Sequence, residues 1–219
     1  TKVGEYLQSH IVFKNDMIEA TKKPRPYEMQ EWLYRFYQRR NFQPAWVGKN
    51  GLKPMADSLV LLMKEEQKLY ATLGDTFDGL IGRNKKALEQ TGKYDVEVLG
   101  QLEVHLTRAF IYLADVNLKG YILPSDLIKY EWYLPVREAD LAAVLEFSTL
   151  QDNVRLGLKS LLPKRKDYWQ LVGFLALYED IQQNGGWQAL PDSLMEIEVG
   201  MESKYVPDLK KRLKVTEAK

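Results

Sequence analysis

Side-chain pairs that could carry out acid–base chemistry occur in three places along this chain. Two carboxylates that face one cleft can act as general acid and general base. Such pairs occur at Glu65-Glu66, at Glu138 with Asp140, and at Glu196 with Glu198. Nothing in the surrounding sequence indicates burial of any pair. A solvated helix face, or a carboxylate that complements the dipole of a first turn, is therefore the favoured interpretation.

Nucleophilic and metal-binding residues are sparse. The chain has no cysteine, which excludes disulfides, thiolate metal sites and thiol nucleophiles within it. Its two histidines, His10 and His105, lie far apart in sequence, and a lone helical histidine is more often a packed or surface residue than a ligand. Ser125 and Ser193 have no glycine elbow and no ordered His/Asp partner. We predict no catalytic, cofactor-binding or metal-binding residue.

Tryptophan is the residue type best suited to binding a partner, because indole rings stack on sugars and fill interface pockets. The five tryptophans are Trp32, Trp46, Trp132, Trp169 and Trp187. We single out Trp46, Trp132 and Trp187 as candidate contacts for a protein partner or a glycan. The alternative, which we favour, is that aromatics near Pro/Gly turns anchor loops to the core.

Composition limits the classes of partner. The chain carries 31 basic and 30 acidic residues, a formal net charge of +1, so no charge excess points to nucleic acid. The basic runs 164–166 and 210–212 are more simply solvated surface. No apolar run reaches the roughly 18 residues that a membrane-spanning helix needs. We expect neither a nucleic-acid partner nor a transmembrane segment.

Apolar residues recur at helical spacing through most of the chain, and period-2 alternation is almost absent. The predicted class is therefore all-α, an irregular multi-helix domain with a C-terminal linker and one trailing helix. Asp95, Gly120, the Thr149–Asp152 stretch and Asp167 are predicted cap residues. Residues 1–20 fit no period clearly, and the glycine-spaced stretch 71–82 is left unassigned. Helices are predicted at 27–40, from Pro54, and at about 83–90, 95–119, 138–148, 152–161 and 167–184.

Proline and glycine mark the predicted domain boundaries. Residues 1–26 form an N-terminal segment that ends in a linker, Thr21–Pro26, and residues 27–184 form the helical domain. Residues 185–219 begin with Gly185-Gly186-Trp187 and contain the trailing helix. The two glycines allow positive φ and should end the helix before them.

Four stretches, taken in order, resemble one family. The chain is similar to the N-terminal scaffold region of large periplasmic murein L,D-transpeptidases, whose catalytic domain is of the YkuD type. The resemblance covers about residues 30–215. The stretches are FYQRRNFQPAWV at 36–47, LTRAF at 106–110 with the helix running to GYILP at 120–124, LLP at 161–163 with the helix from Tyr168, and GGWQALP at 185–191.

The resemblance implies a role in peptidoglycan cross-linking for the whole protein. In the family, the catalytic domain attacks a peptide stem with a cysteine thiolate assisted by a histidine, and Gly-Gly-Trp leads into a peptidoglycan-binding-like module. This chain has no cysteine and so lacks that nucleophile. It also has Gly120-Tyr121 where Gly-Arg is usual, and Gln67–Tyr70 where the family has Gly-Leu-x-Pro-x-x-Tyr. Val206–Leu213 resembles the first helix of the module.

The resemblance leads us to expect a non-catalytic scaffold in the periplasm or cell envelope, with its leader removed and its natural gene continuing past Lys219. Its expected partners are a catalytic domain of the same or another chain and peptidoglycan. One alternative is a stand-alone envelope protein that binds a protein or glycan through exposed aromatics. Another is an enzyme that uses paired carboxylates. A docking scaffold should expose an apolar patch, a glycan binder an aromatic groove, and a carboxylate enzyme two acids in one cleft.

Overall fold

The chain forms two compact units, Thr1–Pro163 and Lys164–Lys219. The computed structural model describes residues 1–12, 25–48, 51–121, 137–187, 189–190, 198–200 and 202–217. Within these residues the only β-structure is a two-stranded antiparallel ribbon, so the predicted all-α class is confirmed. The predicted boundaries at 26/27 and 184/185 stay predictions, and the division between the units falls at 163/164.

The first unit contains seven of the described helices and the ribbon. The helices are α1 (Lys2–His10), α2 (Arg25–Arg39), α3 (Pro54–Glu65), α4 (Gln67–Thr91), α5 (Val96–Lys119), α6 (Leu141–Leu150) and α7 (Val154–Ser160). Strands β1 (Val47–Gly48) and β2 (Gly51–Leu52) pair with Val47 opposite Leu52. The second unit contains α8 (Lys166–Gln183) and α9 (Val206–Glu217).

Helix α5 is the centre of the first unit. It packs against α1, α2, α3, α4, α6 and α7, and fourteen of its 24 residues are buried. A helix that is buried on most of its sides needs apolar side chains on most of them. In α5 these include Leu102, Leu106, Ala109, Phe110 and Leu113. Asp95 caps its first turn by accepting hydrogen bonds from the N–H groups of Glu97 and Val98, at 2.9 and 3.2 Å. Gly120 ends it at φ +83°, so both predicted caps are confirmed.

Helix α4 is longer than the sequence predicts. The prediction began a helix at about residue 83, but α4 runs unbroken from Gln67 to Thr91. Gly79 and Gly82 each cost the helix about 1 kcal/mol relative to alanine. Packing against α3 and α5, with Leu80 fully buried, outweighs that cost. The predicted end holds, because Gly92 takes the left-handed conformation at φ +65°.

Several predicted helix starts need correction. The predicted linker Thr21–Pro26 overlaps α2, which begins at Arg25 and tolerates Pro26 in its first turn. The cap of α7 is Asn153, whose side chain accepts from Leu156 N–H, rather than the Thr149–Asp152 stretch, because α6 continues to Leu150. The N-cap residue of α8 is Arg165, whose side chain makes no capping hydrogen bond. The predicted cap Asp167 lies in the first turn of the helix instead.

The C-terminal elements follow the sequence prediction more closely. Helix α8 ends at Gln183, and Gly185 and Gly186 follow at φ +99° and +70°. The predicted trailing helix is present as α9. None of the described helices has the length and apolar character needed to cross a bilayer.

Gly100 sets the approach of α1 to α5. A Cβ at this position would lie 2.1 Å from the Cδ1 atom of the Tyr6 ring. We expect Gly100→Ala to displace Tyr6 and lower the free energy of unfolding by about 1–3 kcal/mol, the usual cost of overpacking. Urea unfolding followed by tryptophan fluorescence measures the change.

Gly79→Ala is the matched control, since Gly79 also lies inside a helix but a Cβ there meets no atom within 4 Å. This substitution should stabilise the protein by about 0.5–1 kcal/mol. If the two substitutions change the free energy of unfolding equally, the packing of α1 on α5 does not depend on the close contact between Gly100 and Tyr6.

Candidate functional site

A group of polar side chains lies inside the apolar core of the first unit. We call Tyr37, Trp46, Glu103 and Thr107 the Glu103 cluster. Glu103 and Thr107 lie one turn apart on α5, Tyr37 comes from α2, and Trp46 immediately precedes β1. All four residues are completely buried, with exposed fractions of 0%. The cluster therefore joins three separate parts of the chain where water cannot reach them.

The Glu103 carboxylate holds the loop that carries Trp46. The backbone N–H of Trp46 donates to both carboxylate oxygens, at 2.9 Å each. The N–H groups of Ala45 and Val47 also interact with this carboxylate. The Trp46 indole Nε1–H donates to the Thr107 hydroxyl at 2.8 Å, and the Tyr37 hydroxyl lies 2.8 Å from the same oxygen. The loop is thus bound through its backbone and through its largest side chain.

Two cations complete the fastening of the same loop. Arg40 donates from Nε to the Gln43 carbonyl at 2.9 Å and from its guanidinium to the Pro44 carbonyl at 3.2 Å. Lys53 Nζ donates to the Ala45 carbonyl at 2.7 Å. The turn that these groups hold includes Asn41 and Phe42 in the left-handed region, at φ 49° and 54°. Non-glycine residues avoid that region, so the turn needs such outside support.

Burial changes the acid–base behaviour of the cluster. Desolvation raises the pKa of Glu103 from 4.5 to about 7, although the backbone N–H groups and Arg40 favour the ionised form. Burial likewise raises the pKa of Tyr37 well above its ordinary value, and the nearby Glu103 adds to the effect. A raised carboxyl pKa is a feature of many catalytic sites. Here no substrate can approach the carboxyl group, so the geometry fits a structural clamp.

A second group of polar residues lines a pocket between α1, α2 and α5. Its volume is about 190 Å³, and both histidines of the chain, His10 and His105, lie in its wall together with Arg108. Residues 95 positions apart in sequence give no spacing signal, which is why this pocket was not predicted. No group of three or more potential metal ligands occurs within the described ranges.

The three tryptophans predicted as contacts have different positions. Trp46 is fully buried, so its predicted direct contact with a partner or glycan is corrected to a role in anchoring a loop. Trp132 lies outside the described residues. Trp187 is 39% exposed, and the Arg212 guanidinium lies 5.5 Å from its ring centroid. A contact through Trp187 stays a prediction.

The described carboxylate pairs take part in surface interactions. Glu65 pairs with Arg155 at 3.1 Å, with both side chains more than half exposed. Asp140 accepts from Ala143 N–H as the cap of α6 and pairs with Arg39 at 2.6 Å. Burial would raise the pKa of Asp140, but Arg39 and the capped N–H outweigh it and hold that pKa low. Glu196 lies outside the described residues, so its pair with Glu198 stays untested.

Comparison with known proteins adds a family to this geometry. A family model described as Scaffold domain matches residues 31–175, well over half of the chain. The chain belongs to the Scaffold domain family. The match contains the whole Glu103 cluster and helices α3 to α7. No curated protein and no solved structure gives a significant match.

The Thr107 hydroxyl is hydrogen-bonded to both Trp46 and Tyr37, and its removal should be costly. Thr107→Val keeps the shape but leaves the Trp46 indole N–H buried without its acceptor. We expect the free energy of unfolding to fall by about 2–3 kcal/mol. Chemical denaturation of the variant and the parent chain measures the loss.

Thr91→Val serves as the control, because Thr91 is exposed and bonds only within its own helix end. Its effect should stay within about 0.5 kcal/mol. If Thr107→Val lowers the free energy of unfolding no more than Thr91→Val does, the cluster contributes little to stability.

The raised pKa of Glu103 predicts a pH dependence of stability. Because its folded pKa of about 7 exceeds the ordinary 4.5, the native state holds a proton that the unfolded chain releases. This contribution is fully present below about pH 4.5 and is lost as the pH rises through about 7, to a total on the order of 3 kcal/mol. We expect Glu103→Gln to remove this contribution. The free energy of unfolding of the parent chain, relative to that of the variant, should therefore fall between pH 5 and pH 8.

The measurement is the free energy of unfolding of both chains at several pH values. Glu89→Gln, at an exposed position of α4, should keep the pH dependence of the parent chain. A gap between the parent and Glu103→Gln that does not change with pH would contradict the assignment.

Proposed function

We propose that this chain is the non-catalytic scaffold region of an L,D-transpeptidase-like protein that takes part in peptidoglycan cross-linking in the periplasm or cell envelope. Its partner is a cysteine-bearing YkuD-type catalytic domain, in the same chain or in another one. The scaffold holds that domain in position and helps to present peptidoglycan to it. The observation that carries this proposal is the Scaffold domain match over residues 31–175.

The motif at residues 36–47 supports the proposal through its structural role. Its residues Tyr37 and Trp46 bond to Thr107 and Glu103 of α5. Its Arg40 donates to the Pro44 carbonyl within the loop. A stretch that resembles the transpeptidase scaffold thus coincides with the part of the first unit that is most elaborately held. Such a clamp gives a rigid body, which a scaffold requires and an adaptable binding loop does not.

Helix α8 offers a surface for the partner. The structure buries no residue of this helix, and the exposed fractions of Leu171 and Leu175 are 67% and 60%. Trp169, Val172 and Tyr178 of the same helix are also at least 40% exposed. A soluble protein seldom leaves so many large apolar side chains on one helix unless another surface covers them. We assign this helix as the docking element for the catalytic domain.

A binding experiment tests the proposal. The chain is immobilised, and the YkuD-type catalytic domains encoded in its source genome are passed over it while association is followed by biolayer interferometry. We expect one of them to bind, and its cross-linking of tetrapeptide-bearing muropeptides to increase when the chain is added. The double substitution Leu171→Glu with Leu175→Glu should weaken the binding at least about tenfold, since it places two charges in the apolar contact.

Leu150→Glu is the matched control, since Leu150 is a 78% exposed leucine on α6, in the first unit. It should leave the affinity unchanged. Absence of binding and of any rate increase with every catalytic domain would contradict the proposal. Equal loss of affinity in the control would reject α8 as the docking element.

A second candidate function is glycan binding by a stand-alone envelope protein. The observation that favours it is the exposure of Trp169 and Trp187, at 43% and 39%. Co-sedimentation with purified peptidoglycan sacculi distinguishes it from the first. Sedimentation that is lost in Trp187→Ala, together with no effect on any catalytic domain, would favour this second function.

A further inference from the structure

The pocket between α1, α2 and α5 has a composition that suits a negatively charged ligand. Its ionisable lining side chains are Tyr6 and His10 from α1 and His105 and Arg108 from α5. Helix α2 contributes Gln30 and Leu33, neither of which can ionise. Within the described part of the chain no carboxylate lines this pocket, so the charge of Arg108 is not neutralised from inside it.

His105 is short of a polar partner. Its Nδ1 atom is buried and accepts or donates no hydrogen bond within the described part of the chain. Burial, and then the neighbouring Arg108, lower the pKa of His105, so its ring is neutral near pH 7. A hydrogen on Nδ1 would be a buried donor without an acceptor, which favours the tautomer with the hydrogen on Nε2. That N–H is the group the ring can offer to a ligand.

His10 is held in a defined orientation on the opposite wall. Its Nδ1 lies 2.9 Å from the Tyr6 carbonyl oxygen, and its ring stacks on Tyr6 with centroids 3.9 Å apart. A carbonyl oxygen only accepts, so Nδ1 carries the hydrogen and Nε2 is the nitrogen left for a ligand.

We propose that this pocket binds a small organic carboxylate, with Arg108 and His105 donating to the carboxylate oxygens and a short aliphatic part lying against Leu33 and Val104. The guanidinium of arginine is suited to a carboxylate because its N–H groups match the two oxygens. A volume of about 190 Å³ holds roughly six water-sized groups, which is the size of butyrate. The site is independent of the proposed scaffold function.

A transition-metal ion is the other ligand that two histidines suggest. Among the described residues, the pocket offers such an ion two imidazoles but no carboxylate, and the positive charge of Arg108 repels it. The carboxylate is therefore the ligand that we assign, and metal binding becomes an outcome of the test.

Anion binding in this pocket should be coupled to proton uptake. A carboxylate next to His105 favours the imidazolium, so the bound state raises the His105 pKa that burial and Arg108 hold low in the free protein. Affinity should accordingly increase as the pH falls toward and below 6.5, the ordinary pKa from which that of His105 is lowered in the free protein. In His105→Gln this pH dependence should be smaller.

The test follows the histidine ring protons by NMR while sodium butyrate is added to the full chain. Only two histidines exist, so His10→Gln and His105→Gln assign both signals. We expect both signals to shift with one saturation curve. Arg108→Gln should lower the affinity about tenfold or more, because it removes the charge-assisted hydrogen bonds.

Arg155→Gln is the matched control, since Arg155 is an exposed arginine on α7 that does not line the pocket. Unchanged affinity in this variant supports the site. No shift with butyrate, or an equal loss in both arginine variants, would overturn the proposal. Tighter binding of inorganic phosphate than of butyrate at matched ionic strength would overturn the carboxylate assignment in favour of another class of anion. Binding of Zn²⁺ with no binding of butyrate would overturn it in favour of a metal site.

Discussion

The first unit depends on one buried interaction, the capture of the Trp46 backbone by the Glu103 carboxylate. An isolated buried carboxyl group is expensive, and it is tolerated here because three consecutive backbone N–H groups face it. Its raised pKa shows that this compensation is incomplete. The buried rings of Phe36 and Phe110 pack against Tyr37 and Trp46, with ring centroids 5.1 and 6.3 Å apart. Removing one polar member leaves another buried group unpaired, so the cluster works as a unit.

These hydrogen bonds explain why the loop around Trp46, although it is not helical, is held as firmly as the helices of the unit. Arg40 and Lys53 donate hydrogen bonds to the carbonyl groups of residues 43–45. The Glu103 carboxylate accepts a hydrogen bond from the N–H group of Trp46. The backbone carbonyls of residues 43–46 thereby all accept hydrogen bonds, since the Lys53 N–H also donates to the Trp46 carbonyl at 2.8 Å. Because α5 contacts the other six described helices of the unit, movement of the loop would disturb the whole core.

Helices with a clear 3.6-residue period were predictable, and so was the chemistry at their ends. Asp95, Gly92 and Gly120 end or begin helices for reasons that a single residue supplies. The sequence predicts too short a helix α4, because its glycines disfavour a helix and the packing of Leu80 that outweighs them is visible only in the tertiary structure. The Glu103 cluster left one weak sign, two polar residues four apart in the buried face of α5. The histidine pocket left none, since α1 and α5 meet only in the fold.

The scaffold role and the carboxylate pocket rest on different observations. The first relies on the family match and on the apolar surface of α8, and the second on three side chains between α1 and α5. Both assume that the first unit keeps its shape, and native-state hydrogen exchange of the Trp46 backbone amide tests that most directly. If Glu103 holds the loop as described, this amide exchanges as slowly as those of Leu106 and Phe110 in α5, by global unfolding alone. Much faster exchange, through local opening of the loop, would contradict it.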